Sequence, residues 1–164
     1  LDAHADFRVE EGRHSGNGFR YAMQEGYLGK YAVFGLHENY NPQSMLDDLY
    51  SNLNIQYTFF EDIFIHEKLN FRQAVAQAFN FTDDKPVGVE LDLDAVLGVL
   101  ASASSPAGVP VNCARQYMVF AAQHPKLAYL HISEGAERLT NGRTDPHTGK
   151  LMAYLVSDFV KSSV

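Results

Sequence analysis

The stretch PVGVELDLD, residues 86–94, decides the fold. It is a compact apolar run of strand length, and it ends on two carboxylates, Asp92 and Asp94. Such a run reads as a strand buried in a sheet. Reading outward, LNFRQAVAQAFNF (69–81) precedes it and places Phe71, Val75 and Phe79 at i, i+4 and i+8, one face of a helix. PVNCARQYMVFAAQ (110–123) follows as a second helix, LAYLHIS (127–133) as a strand, and TGKLMAYLVSDFVKSSV (148–164) as a terminal helix with Leu151, Leu155 and Phe159 on one stripe. Further upstream, KYAVFGL (30–36) and IQYTFF (55–60) read as strands. NPQSMLDDLYSNL (41–53) reads as a helix with Asn41 as its cap and Pro42 in the first turn. FRYAMQEGYL (19–28) is a short helix, and residues 1–6 read as the end of a strand. Strands that alternate with helices imply crossover connections and a mainly parallel sheet covered on both faces, a three-layer α/β/α architecture.

Composition narrows the function. The chain has 164 residues, 46% of them hydrophobic, enough for one domain with a sizeable core. A formal net charge of −7 argues against nonspecific nucleic-acid binding. The single cysteine, Cys113, excludes an intrachain disulfide and a Cys-based zinc site, fits a cytoplasmic location, and reads as structural. No apolar run approaches the roughly 20 residues of a membrane span. Leu1 is not an initiator methionine, so the chain reads as the later part of something longer. There is no internal repeat. GRHSGNG (12–18), ASASSPAGVP (101–110) and RTDPHTG (143–149) read as loops.

Open parallel sheets bind ligands beyond the carboxyl ends of their strands. The polar residues there are Asp2, His4 and Asp6; His37 and Glu38; Asp92 and Asp94; and His131 and Glu134. In an extended strand, i and i+2 share a face, so Asp92 and Asp94 lie side by side between apolar flanks. Buried carboxylates repel unless a cation or proton separates them. The competing reading is that both aspartates cap the following turn. Asp2, His4 and Asp6 repeat the spacing at another strand end, against the alternative of a roleless polar terminus. Four carboxylates and one imidazole are too oxygen-rich for a closed zinc site. They suit two harder ions, with manganese the natural candidate.

DAHAD (2–6), SGN beginning nine residues after Asp6, and LDLD (91–94) together resemble the arginase–agmatinase–formimidoylglutamase family of binuclear manganese hydrolases. LHISEG (130–135) is similar to that family's late strand. The resemblance covers essentially the whole chain. It implies an arginase-like α/β fold in which residues 1–164 form the C-terminal part of a single domain, with earlier strands absent. It implies Asp2 and Asp92 as shared ligands, Asp6 as a ligand of one ion, and His4 and Asp94 as ligands of the other. It also implies two Mn2+ ions whose bridging hydroxide attacks an amidine or guanidine carbon, Asp6 in the catalytic machinery, and Glu134 beside the amidine of the substrate.

The sequence departs from the family pattern in three places. A further histidine ligand, in a Gly-Gly-x-H motif, is expected upstream of Leu1. Arginases place a histidine after SGN where this chain has Phe19. Asp6-Phe7-Arg8 with Ser15-Gly16-Asn17-Gly18-Phe19-Arg20 is closer to formimidoylglutamases. Glu90 stands where many relatives have Ser, and ASSPAGVP replaces their usual continuation. The substrate is then a linear amidine, N-formimidoyl-L-glutamate first, with guanidino compounds as the alternative. A non-catalytic binding protein on the same fold is the reading from a different class. Arg8, Ser15 and Asn17 become the substrate-binding candidates, because guanidinium pairs bidentately with the carboxylates of a glutamate tail. His14 is a candidate proton shuttle, His37 a cleft residue and His131 a core or supporting residue, while His66, His124 and His147 read as solvent-facing. The sequence implies no membrane or nucleic-acid partner and leaves a homo-oligomer open.

Overall fold

A computed structural model describes every residue except Glu10 and Val164. The chain divides into two compact units, Ala3–Asp84 on the one hand and Leu1–Asp2 with Lys85–Val164 on the other.

The Ala3–Asp84 unit is built on a parallel strand pair. In chain order it holds α1 (Gly18–Gln24), β1 (Tyr31–Leu36), α2 (Gln43–Ser51), β2 (Ile55–Phe59), α3 (Phe60–Phe64) and α4 (Phe71–Thr82). β1 and β2 pair in parallel with Tyr31 opposite Ile55, and α2 makes the crossover between them. β1 is buried along nearly its whole length, the mark of a parallel strand covered on both sides. Its register slips between Phe34 and Leu36, where Gly35 takes φ +87°, a backbone setting that glycine adopts at little cost. Leu36, Leu49 and Ile55 pack with Phe7 and Tyr31 in the core, each worth about 1.5–3 kcal/mol of burial for an aliphatic or aromatic side chain. α4 begins with a reciprocal capping box: Asn70 accepts from the Gln73 N–H at 3.0 Å, and the Gln73 side chain accepts from the Asn70 N–H at 2.8 Å. Phe71 and Val75 are buried and Phe79 half-buried, as the helical spacing requires.

The second unit holds β3 (Val87–Asp92), α5 (Val111–Ala122), β4 (Leu127–Ser133) and α6 (His147–Ser162). β3 and β4 are parallel, with α5 as the crossover. Val87, Val89 and Leu91 face the core, while Gly88 and Glu90 alternate to the other side of β3. There the Tyr129 ring lies directly over Gly88, and a Cβ at that position would push the exposed ring aside. Arg115 of α5 and Asp158 of α6 form a two-pronged pair at 2.6 and 3.0 Å, with the guanidinium over the Tyr154 ring. No helix among the described residues is long and apolar enough to cross a membrane.

The long expected elements are present, with local differences. α3 is not among the expected elements, since its first residue, Phe60, reads as the end of the strand 55–60, and α1 stops at Gln24, short of the expected residue 28. Residues 1–6 form no strand of their own. Asn41 is not the cap of α2: Pro42 holds that place, and the Asn41 side chain is used elsewhere. The strand of 86–94 stops at Asp92, and Leu93–Ala95 is a 3-10 turn.

Candidate metal centre

In the second unit the Asp92 N–H donates to the Leu1 carbonyl oxygen at 3.0 Å, and the Leu1 nitrogen donates to the Glu90 carbonyl oxygen at 2.9 Å. Bonds from one residue to both neighbours of another are the pattern of a parallel ladder. Leu1 is thus aligned with Leu91, and Asp2 with Asp92. Aligned side chains on neighbouring strands project to one face. Asp2 and Asp92 are both 8% exposed, so two carboxylates meet away from water. Burial pushes the Asp92 carboxyl above the usual carboxylate range, and the Asp2 charge pushes it further, while hydrogen bonds from Asp94 and Ser133 pull the other way.

Those hydrogen bonds orient Asp92. Its Oδ1 accepts from the Asp94 N–H at 2.9 Å, and its Oδ2 accepts from the Ser133 hydroxyl at 3.0 Å. Asp92 therefore does cap a turn, as the competing reading held. The turn curls the chain, and a carboxylate oxygen of the buried Asp94 comes within 4.8 Å of one of Asp2. The two aspartates are neighbours through a capped 3-10 turn, not through an extended i, i+2 spacing. Asp2 and Asp94 at this separation, with Asp92 near enough to feel the Asp2 charge, fit a divalent cation, which would remove their mutual repulsion and the cost of their burial. The carboxylate oxygens of Asp2 and Asp94 suit a hard cation such as manganese.

From Asp2 the chain runs on into the Ala3–Asp84 unit. Two residues of chain reach about 7 Å at most, so the His4 backbone stays close to Asp2. His4 is half-buried, with its ring stacked on Tyr40. Asp6 is half-buried and adopts φ +47°.

The remaining candidates are placed as follows. Glu134 follows β4 at φ +60°, and its Oε2 accepts from the Ser102 hydroxyl at 3.0 Å. Arg8 is exposed and pairs with Glu11 at 3.2 Å. Ser15 opens the 3-10 turn Ser15–Asn17 and is exposed. Asn17 is fully buried and holds its own loop: its amide donates to the Gly12 and Val9 carbonyl oxygens, and its Oδ1 accepts from the His14 N–H. That geometry makes Asn17 the shaper of the loop that displays Ser15. His14 accepts from the Gly16 N–H and lies 3.3 Å from Glu11. His37 is buried at the end of β1 and lies 3.9 Å from Glu61. His131, expected as a core or supporting residue with its ring hydrogen-bonded, is exposed rather than in the core, and its ring pairs with Glu90. It sits on the solvent side of β4, because alternation sends the neighbouring Leu130 and Ile132 the other way. Sequence reasoning missed Ser133 and Asn41. Ser133 sat unmarked at the end of a strand, and Asn41 carried the signature of a helix cap.

Residues 1–158 match the arginase family. Formimidoylglutamase of Staphylococcus aureus (strain JH9) is 25% identical over 162 residues, covering 98% of this chain and 51% of that relative. Among solved structures, formimidoylglutamase from Bacillus subtilis subsp. subtilis str. 168 aligns with a TM-score of 0.83 at 21% identity, over 98% of this chain and 51% of the other. Trypanosoma cruzi formiminoglutamase with Mn2+ aligns with a TM-score of 0.78 at 21% identity, over 100% of this chain and 56% of the other. The chain spans about half the length of the curated relatives it matches. These structural likenesses establish the arginase-type α/β fold.

Proposed function

The chain belongs to the arginase family, and from that premise we propose that the protein carrying it is a manganese-dependent hydrolase that cleaves a C–N bond of a linear amidine, N-formimidoyl-L-glutamate. The observation that carries this reading is the approach of the buried carboxylates of Asp2 and Asp94 to within 4.8 Å, with Asp92 and its charge beside Asp2 at the end of β3. The naming of relatives as formimidoylglutamases supports the substrate, as does the Asp6-Phe7-Arg8 and Ser15-to-Arg20 pattern. Guanidino compounds are the alternative substrates within the family.

Asp2, Asp92 and Asp94, joined by His4 and Asp6, would hold two Mn2+ ions. Such ions, when bound, supply Lewis acidity that makes water a usable nucleophile at neutral pH. The chain's own residues do the rest. The Asp94 N–H and the Ser133 hydroxyl pin both oxygens of Asp92, so that the carboxylate cannot swing away. Asp6 takes a proton from the attacking water at a carboxylate oxygen and returns it to the leaving nitrogen. Glu134 accepts hydrogen bonds from the amidine N–H groups, steadied by Ser102. Arg8 exchanges Glu11 for the carboxylates of the glutamate tail, while Ser15 contacts the same tail from the loop that Asn17 shapes.

The test has a metal arm and a substrate arm. Purified protein should bind Mn2+. Asp92→Ala should cut turnover by more than the roughly 10–100-fold that losing an outer partner of a metal ligand costs. Protein that binds no divalent ion would sink the reading. In a panel scored for formamide against urea release, Arg8→Ala should weaken turnover of formimidoylglutamate far more than that of agmatine. Equal losses would count against the carboxylate-binding role.

A further inference from the structure

The segment Ala3–Asp6 carries two of the proposed ligands, His4 and Asp6, yet lies in no helix or strand. A segment without its own ladder has to be held by side chains if its ligands are to stay in place. The connection between β1 and α2 supplies them. Asn41 is 4% exposed and commits its whole amide to this task. Its Nδ2 donates to the Ala3 carbonyl oxygen at 3.2 Å and to the His37 carbonyl oxygen at 2.8 Å, and its Oδ1 accepts from the Ala5 N–H at 2.9 Å. The His37 N–H adds a bond to the Ala3 carbonyl oxygen at 3.0 Å, and the Tyr31 hydroxyl adds one to the Ala5 carbonyl oxygen at 3.0 Å. The residue between these anchors is His4.

The His4 side chain is held by a different device. Its ring lies nearly flat on Tyr40, with centroids 5.2 Å apart and planes at 11°. Tyr40 stacks in turn on His37 at 5.0 Å, and His37 on Phe60 at 4.5 Å. Phe60 is buried, so the column of rings is rooted in the core. An imidazole binds a cation through a lone pair in the plane of the ring. A neighbour stacked on its face therefore fixes the direction of that lone pair.

We propose that Asn41 and Tyr40 are positioning residues for His4, Asn41 by clamping the backbone on both sides of it and Tyr40 by setting the plane of its imidazole. The inference rests on the reading of His4 as a metal ligand. Partners that orient a ligand are worth 10–100-fold in metal affinity in other sites, and the same scale applies here. Tyr40 is 37% exposed and adds little to the core, so its replacement tests position without endangering the fold.

Mn2+ affinity of the complete protein, measured by equilibrium dialysis alongside melting of the metal-free form, provides the test. Tyr40→Ala should weaken Mn2+ binding about tenfold while the metal-free melt stays near that of the parent. Tyr40→Phe keeps the ring and should restore parental affinity. Asn41→Ala should weaken binding as well, and if it fails to fold the Tyr40 pair still decides. Parental affinity in Tyr40→Ala would overturn the inference and leave the metal reading standing. Equal loss in Tyr40→Ala and Tyr40→Phe would implicate the hydroxyl and overturn the ring argument. Absence of Mn2+ binding in the parent protein would overturn this inference and the proposed function together.

Discussion

Asp6 and Glu134, the two carboxylates proposed for catalysis, both lie in the left-handed backbone region, at φ 47° and 60°. Among the described residues only Glu67 shares that setting without being glycine. A non-glycine residue there stores about 1–3 kcal/mol, and such strain tends to persist where a side chain must point somewhere particular. Glu134→Gly should release that strain, offset by about 0.5–1 kcal/mol of added chain freedom. The expected outcome is a net gain on the order of 1 kcal/mol in chemical denaturation, together with a loss of turnover. A loss of stability would show that the backbone at Glu134 is relaxed. None of this is written in the local sequence, because nothing in HISEG marks a left-handed glutamate. The burial of Asp92 and Asp94 was legible because both sit in an apolar run. Asn17 and Asn41 were not legible, since an asparagine looks alike whether it faces a ligand or clamps its own chain. The partners of Asn41, at Ala3 and Ala5, lie 38 and 36 residues away.

Helices and strands were the most readable level. Each long expected element is present, because the apolar spacing that suggested it is the spacing that buries it. The misses have local causes. α3 follows β2 at once, with no Gly or Pro to announce the change, so its first residue read as strand. The 3-10 turn after β3 interrupts a pattern that alternates perfectly on paper, because the Asp92 side chain offers the Asp94 N–H a better partner than a ladder would. Between α5 and α6 the pairing with Arg115 holds the Asp158 carboxyl below the usual carboxylate range. A carboxyl with a depressed folded value contributes stability above its unfolded value and loses it as pH falls through the folded one. Asp158→Asn should therefore melt slightly earlier at neutral pH and converge with the parent in acid. Parallel melting curves at every pH would show that the pair contributes nothing to the packing of these helices.

At the scale of the whole chain, the unit with the carboxylate cluster is discontinuous: Leu1–Asp2 belongs with Lys85–Val164, and the other unit is inserted between them. The alternation of strands and helices foretold parallel pairing, but no local signal could say which distant segment Leu1 would join. If the cluster takes up Mn2+, the cation stabilises the folded chain by mass action, about 2.7 kcal/mol at a hundred times its Kd. Melting with Mn2+ should exceed melting after chelation by a margin that grows with Mn2+ concentration. A melt indifferent to both would count against a metal site in this fold.

The alignment of Leu1 with Leu91 also bears on the order of folding. Both strand pairs among the described residues, β1 with β2 and β3 with β4, are parallel, so each waits for an intervening crossover, and the contact that brings Asp2 beside Asp92 spans 89 residues from Leu1 to Glu90. Contacts this remote along the chain close late, after the entropy of a long loop has been overcome. Until that moment Asp2 stays remote from Asp92 and Asp94, and the repulsion between them opposes only the final step. A cation caught there acts as a latch on the last closure, and a loaded centre reports that the whole path behind it has been completed.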